Sequence, residues 1–497
     1  MDLGTPCAAL RAAAALAARP GTVLRRGAGL VVELGMVGLG TSTVAPHGGD
    51  DRFAGRTDDP VRRRAVQAYL ATTGTLSGLL DDAAGGGHGL GSADEARLRT
   101  VLDALADLAG PAVAGTHAPA APEPSTGPVP GRDTAATPGA VVLRTPMFEL
   151  IQYLPRTVEV HDVPVLVVGP LAHRYHVVDL APGHSLVEHL VGDGLQVFAL
   201  SWSDPAPDAA AGRDLDTYAA AVLDAVEACT RVTRCQRVAL AGVRTGGLLS
   251  AAVQCHMAAI GRGDRVAAAV YLGTVLDQRS ALPGFRPEPV PARAADAVLD
   301  GATAVRSWSW RRGGEQVRPF AVDPAGADRL PAGPVRRAVR HWASDLLHVP
   351  AALQADLLAL AADDPEHPDA TVLGTPVEPH RLTCDAYLVT PAGDPAQPWT
   401  AGLRTAQLLG GSCRLLRADG DQAGALAAPD GFVAGPVPDG GSPAEWQACA
   451  NRFDGSWWPD LAGWLSERAG TLREAPPELG GRRMHPVHPA PGIYLGG

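Results

Sequence analysis

The chain has 497 residues, enough for one large domain with appendages or for two to three ordinary ones. A hydrophobic content of 46% suits a sizeable core, and a formal net charge of −11 excludes a nucleic-acid binder built on a basic stripe. Seven scattered cysteines with no Cys-x-x-Cys pair exclude a short disulfide framework and fit a reducing, cytoplasmic setting. All 42 basic side chains are arginine, which reads as base-composition bias in the source rather than as a site.

Asp2 and Arg11 break the pattern of a secretory leader. Residues 1–110 read as a helical N-terminal region. Within it, 27–42 are apolar but carry Glu33 and are too short to span a bilayer, so a core or interfacial helix is expected. Pro60 opens a further helix with Val66, Tyr69 and Leu70 at helical spacing. Ser92 to Glu95 form a capping-box pattern before Leu98, Val101, Leu102, Leu105 and Leu108. Residues 111–139 are rich in Pro, Ala, Gly and Thr, with few large apolar side chains to offset their ordering entropy. They are expected to be a linker.

From 140 to 475 strand-like and helix-like segments alternate. The run 163–168 is wholly apolar, as in a buried parallel strand, and 195–200 repeats it. Asp214 caps a helix carrying Leu215, Tyr218, Val222 and Val226 on one face. Strands follow at 238–241, 265–272, 386–390 and 413–416, with helices at 400–409 and around Leu461, Trp464 and Leu465. Such alternation implies a doubly wound, mostly parallel sheet. The irregular interval 275–375 is expected to be a short helical cap, and 476–497 a C-terminal tail.

The strand 238–241 runs straight into Gly242-Val243-Arg244-Thr245-Gly246-Gly247 and an apolar helix. Strand, Gly-x-x-x-Gly turn and helix are the layout of the nucleophile elbow of α/β-hydrolases. Gly242, Gly246 and Gly247 leave room for a strained central residue. That residue is ordinarily Ser, Asp or Cys; here it is Arg244.

Several stretches together resemble the poly(3-hydroxyalkanoate) synthase family. They are Phe148-Glu149-Leu150-Ile151-Gln152-Tyr153, Tyr175 to Leu180 with Ser185-Leu186-Val187, and Gln196 to Trp202. Asp394 with Pro398-Trp399, Gly455-Ser456-Trp457-Trp458-Pro459-Asp460, and the closing Pro489-Ala490-Pro491-Gly492 with Tyr494 add to them. Asp51-Arg52-Phe53-Ala54 and residues 328–332 are shorter matches. The resemblance implies an α/β-hydrolase fold with a helical N-terminal region and a short helical cap. It also implies polyester-forming acyl transfer by a cysteine, a histidine base and an aspartate.

Two of those three are substituted. The family's cysteine box falls on Gly242 to Gly246, with Arg244 in the cysteine's place; its histidine turn falls on Gly420-Asp421-Gln422-Ala423-Gly424; Asp394 matches the acid. Arginine offers no nucleophilic lone pair, and a carboxylate such as Asp421 is a weak base at neutral pH. Thr245, Ser250 and Cys255 are expected to pack rather than substitute. His173 and His176 lack a convincing third ligand, so no metal and no cofactor is expected. Arg244 is expected in a charge-assisted cluster with Asp421 and Asp394.

The resemblance then implies a non-catalytic synthase homologue, partnered by an active synthase or a granule surface, with a dimer through the cap as one arrangement. The alternatives are an acyltransferase or hydrolase acting on (R)-3-hydroxyacyl-CoA thioesters by another route, and a scaffold unrelated to polyester metabolism. Neither a nucleic-acid partner nor a transmembrane segment is expected.

Overall fold

The computed structural model describes residues 4–46, 59–84, 94–95, 98, 101–102, 127–205, 212–287, 298–312, 315–320, 322, 327, 330, 333–438, 440–481 and 484–495. They fall into two compact units.

The first unit holds the helices Gly4–Ala17, Pro20–Leu39 and Pro60–Ala84. Pro60 opens its helix as the sequence predicts, and Val66, Tyr69 and Leu70 form its buried cluster. Pro20 opens the preceding helix, and Gly40, at φ 77°, closes it by donating to the Met36 and Val37 carbonyls. A small antiparallel sheet of Arg286–Pro287, Trp310–Arg312 and Glu315–Val317 belongs to the same unit. The interval read as one helical cap is therefore divided: 284–288 and 309–319 group with the N-terminal helices. The match at 51–54, most of 328–332, and most of the helix expected after Ser92 lie outside the described residues.

The second unit is built on an 11-stranded sheet. In chain order its strands are Gly139–Arg144 (β1), Phe148–Tyr153 (β2), Val165–Val168 (β3), Val197–Trp202 (β4), Val238–Val243 (β5), Val266–Leu272 (β6), Ala386–Pro391 (β7), Cys413–Ala418 (β8), Gly431–Pro436 (β9), Asn451–Asp454 (β10) and His488–Pro489 (β11). Across the sheet they run β10-β9-β8-β7-β6-β5-β3-β4-β2-β1-β11. From β8 to β4 all neighbours are parallel, and both flanks are antiparallel. This is an α/β-hydrolase fold.

β2 to β5 and β7 are buried along their whole length, because helices cover both faces of a parallel sheet. The helices Leu215–Thr233 and Leu186–Gly192 start at Asp214 and Ser185, whose side chains accept the Thr217 and Glu188 amides. Three further helices, Gly301–Ser307, Pro334–Ser344 and Ala351–Ala362, lie in the predicted cap interval.

Two segments are more ordered than their composition suggests. In the stretch read as linker, Thr134, Ala135 and Thr137 are buried, and the Thr137 hydroxyl donates to buried Asp179 at 2.6 Å. The terminal stretch read as a tail supplies β11 to the sheet edge, and buried Glu149 accepts the Ile493 and Tyr494 amides at 3.0 and 3.1 Å. Partners far away in sequence order both segments, which local composition cannot report.

Candidate functional site

At the end of β5 the chain turns at Arg244, with φ 53° and ψ −117°, and enters the helix Thr245–Ala259. A non-glycine residue at positive φ is strained, so the surroundings must hold it. The Arg244 N–H donates to the Leu272 carbonyl at 2.9 Å, and its own carbonyl accepts from the Gly247 amide at 2.9 Å and the Thr274 hydroxyl at 3.1 Å. A Cβ on Gly246 would stand 2.3 Å from the Gly169 carbonyl oxygen and 2.4 Å from that of Val168. One on Gly242 would stand 2.4 Å from the Gly247 Cα. The glycines thus let the turn press onto β3 and its own helix, as in a nucleophile elbow.

The turns after β7 and β8 come to the same end of the sheet, where parallel α/β proteins place their ligands. The Gly393 amide donates to the Gly420 carbonyl at 2.8 Å, which ties the Asp394 turn to the Asp421 turn. Asp394 is 3% exposed, and its Oδ1 accepts the Ala396 and Gln397 amides, both at 3.0 Å. Its Oδ2 is buried with no hydrogen-bond partner. Asp421 opens the helix Gln422–Ala427, its Oδ1 accepting the Gly424 amide at 2.9 Å.

Arg244 is likewise 3% exposed. Burial lowers its pKa, and the charge on Asp394 opposes that shift. Burial raises the Asp394 carboxyl, with Arg244 the foremost opposing influence. The two are electrostatically coupled. Of the two carboxylates expected beside Arg244, Asp394 acts on it through its charge. The Asp421 side chain serves its own helix as an N-cap.

His173, considered above as a metal ligand, is a neighbour whose charge environment includes Arg244. It sits on the turn following β3, buried against Trp342 with ring centroids 5.1 Å apart. Burial first, and the Arg244 charge second, push its pKa down to about 3, so the ring is neutral. Its Nε2 has no hydrogen-bond partner. The signal available in the sequence was its place in the turn that borders the elbow in this fold. His176 is also held neutral, at about 3, by burial above all.

The remaining candidates have structural partners. The Thr245 hydroxyl accepts the Leu171 amide at 2.9 Å, and Ser250 donates to the Gly246 carbonyl at 2.7 Å. Burial pushes the Cys255 thiol up to about 12, Cys384 to about 11 and Cys413 to about 12, opposite to what a nucleophilic thiolate needs. Among the described residues no three His, Cys, Asp or Glu side chains gather as a metal site. No described helix is long and apolar enough to cross a membrane.

The chain is 31% identical over 511 residues to poly(3-hydroxyalkanoate) polymerase 2 of Ectopseudomonas oleovorans, covering 93% of this chain and 89% of that one. This chain belongs to the poly(3-hydroxyalkanoate) polymerase family. Polymerase 1 of the same organism is 30% identical over the same shares of both chains. The poly(3-hydroxyalkanoate) polymerase subunit PhaC of Cupriavidus necator is 32% identical over 73% of this chain and 64% of its own. The family model for the poly-beta-hydroxybutyrate polymerase (PhaC) N-terminus matches residues 128–190, which run from just before β1 into the helix after Ser185. Among solved structures, a Paleococcus ferrophilus monoacylglycerol lipase aligns with a TM-score of 0.34 and 14% identity, covering 65% of this chain and 99% of its own. The hydrolase assignment rests on the sheet order rather than on that distant likeness.

Proposed function

We propose that this chain is a non-catalytic member of the polymerase family, acting beside polyester synthesis at a granule surface or with an active polymerase. The observation that carries the reading is Arg244 at the tip of the elbow, buried, cationic and without a nucleophilic atom. The resemblance puts Arg244 where the family has its cysteine and Asp421 where it has its histidine. Asp394 is the acid that remains. Thiol acyl transfer needs a thiolate, a base to form it and a carboxylate to orient the base. Losing the nucleophile of a triad alone lowers turnover by about 10⁶. The raised thiols of Cys255, Cys384 and Cys413 support the same reading.

The test is the intact mass of the protein after incubation with (R)-3-hydroxybutyryl-CoA. No acyl adduct is expected, and an adduct would overturn the reading. Co-purification of a co-expressed active polymerase, or sedimentation with polyester granules, tests the proposed partnership.

One observation favours a second reading, in which acyl thioesters are handled by another route. His173 is a buried neutral imidazole beside a buried cation, and its unpartnered Nε2 is free to orient a water or a substrate group by a hydrogen bond while Arg244 holds an anionic group. In that case CoA would be released without any adduct, and His173→Ala would abolish the release.

A further inference from the structure

Residues 487–495 form a strap along one edge of the large sheet. The β11 strand within it is two residues long, and the flanking Val487 and Ala490 amides donate to the Val141 and Gly139 carbonyls of β1. Of its apolar side chains Pro491 and Leu495 are buried, while Val487 is 56% exposed and Ile493 45%. Most of the fixing is polar. Glu149 is fully buried on β2, paired with Arg144 at 2.6 Å, and takes the Ile493 and Tyr494 amides. The Tyr494 hydroxyl donates to the Thr145 carbonyl at 2.7 Å, and the Tyr494 carbonyl accepts from the Arg174 guanidinium. Gly492 lets the strap close on the carboxylate, since at φ 84° a Cβ there would overlap Glu149 Oε2. An edge segment with few buried apolar contacts opens locally at less cost than the sheet it lies on.

Arg174 carries that docking to the elbow. Its side chain is 10% exposed and, besides the strap, faces Asp345 at 3.3 Å and Asp204 at 3.7 Å. Its own carbonyl accepts the Trp342 indole N–H at 2.8 Å, and Trp342 packs on His173. On the other side of His173, the Leu171 amide donates to the Thr245 hydroxyl at the start of the elbow helix. The turn 171–174 therefore lies between the strap and the elbow, with His173 buried inside it. A single guanidinium joins a lightly buried strap to the turn that borders Arg244. We propose that the strap is a latch on the elbow site: docked on Glu149 and Arg174 it holds the His173 turn against Arg244, and undocked it lets that turn open to solvent. The latch governs access to the elbow and is independent of whether acyl transfer takes place there.

The test is the reaction of the full-length protein with diethyl pyrocarbonate at pH 7, which modifies accessible neutral imidazoles, with each histidine followed by peptide mass spectrometry. Buried Cys229, on the helix Leu215–Thr233, reports global unfolding through its reaction with iodoacetamide. His173 is expected to react slowly in the wild type. In Gly492→Val, whose side chain Glu149 leaves no room for when the strap is docked, His173 is expected to react at least about tenfold faster. Arg174→Met keeps the Glu149 contacts and removes the link to the turn, so it is expected to do the same. Exposed His184 should react alike in all three proteins, and Cys229 should stay protected. Two results would overturn the proposal. One is a His173 that stays as protected as in the wild type in either variant. The other is Cys229 becoming reactive in step with His173 in both, which would make the strap part of the global fold rather than a latch.

Discussion

Arg244 and Asp394 are each 3% exposed and electrostatically coupled, so removing one should be felt through the other. Unit charges about 4–8 Å apart at an effective dielectric near 20 interact by about 2–4 kcal/mol. A double-mutant cycle of Arg244→Met and Asp394→Asn, read by urea unfolding at pH 7, should therefore show a coupling of about 2–4 kcal/mol. The cycle cancels whatever else each side chain touches.

The coupling should also depend on pH. The folded-state pKa of Asp394 is raised above its ordinary 3.8, so its proton favours the fold. That contribution is complete below about pH 4 and is lost as pH rises through the folded value. Arg244 offsets the loss, so Arg244→Met should destabilise more at pH 7 than at pH 4. A coupling below about 0.5 kcal/mol at pH 7, or one that does not change with pH, would refute the reasoning.

Asp421 is a helix cap in this structure, so Asp421→Ala should lower stability by about 1 kcal/mol in urea unfolding while Asp421→Asn stays near wild type. Gly246→Ala would drive a methyl against the Val168 and Gly169 carbonyls, and its thermal unfolding should show a loss of at least about 1–3 kcal/mol. His173 and His176 stay neutral down to about pH 3 in the fold, whereas the unfolded chain protonates them near 6.5. Stability from each is therefore full above pH 6.5 and falls by about 1.4 kcal/mol per unit as pH drops toward 3. Unfolding measured across that range should flatten in His176→Leu.

Much of the fold could be read from local pattern. The buried runs at β3 to β7 and the glycines around Arg244 announce a parallel sheet and an elbow, because burial and tight turns leave marks on adjacent residues. What escaped depends on partners distant in sequence. Thr137 is ordered by Asp179, β11 by β1, and residues 309–319 by an N-terminal unit more than two hundred positions away. The site shows the same division. Asp394 and Asp421 were found through the family resemblance, but the packing of buried His173 on Trp342 is marked by no local pattern. The Pro20–Leu39 helix was legible as an apolar stretch; that Val37 alone of its residues is buried was not.

An elbow headed by arginine presents no nucleophilic atom to an acyl thioester. The most direct measurement is CoA release from (R)-3-hydroxybutyryl-CoA by the purified protein, followed beside the Arg244→Ala variant. Release no faster than in buffer is expected for both. Turnover by the wild-type chain that disappears in Arg244→Ala would contradict it.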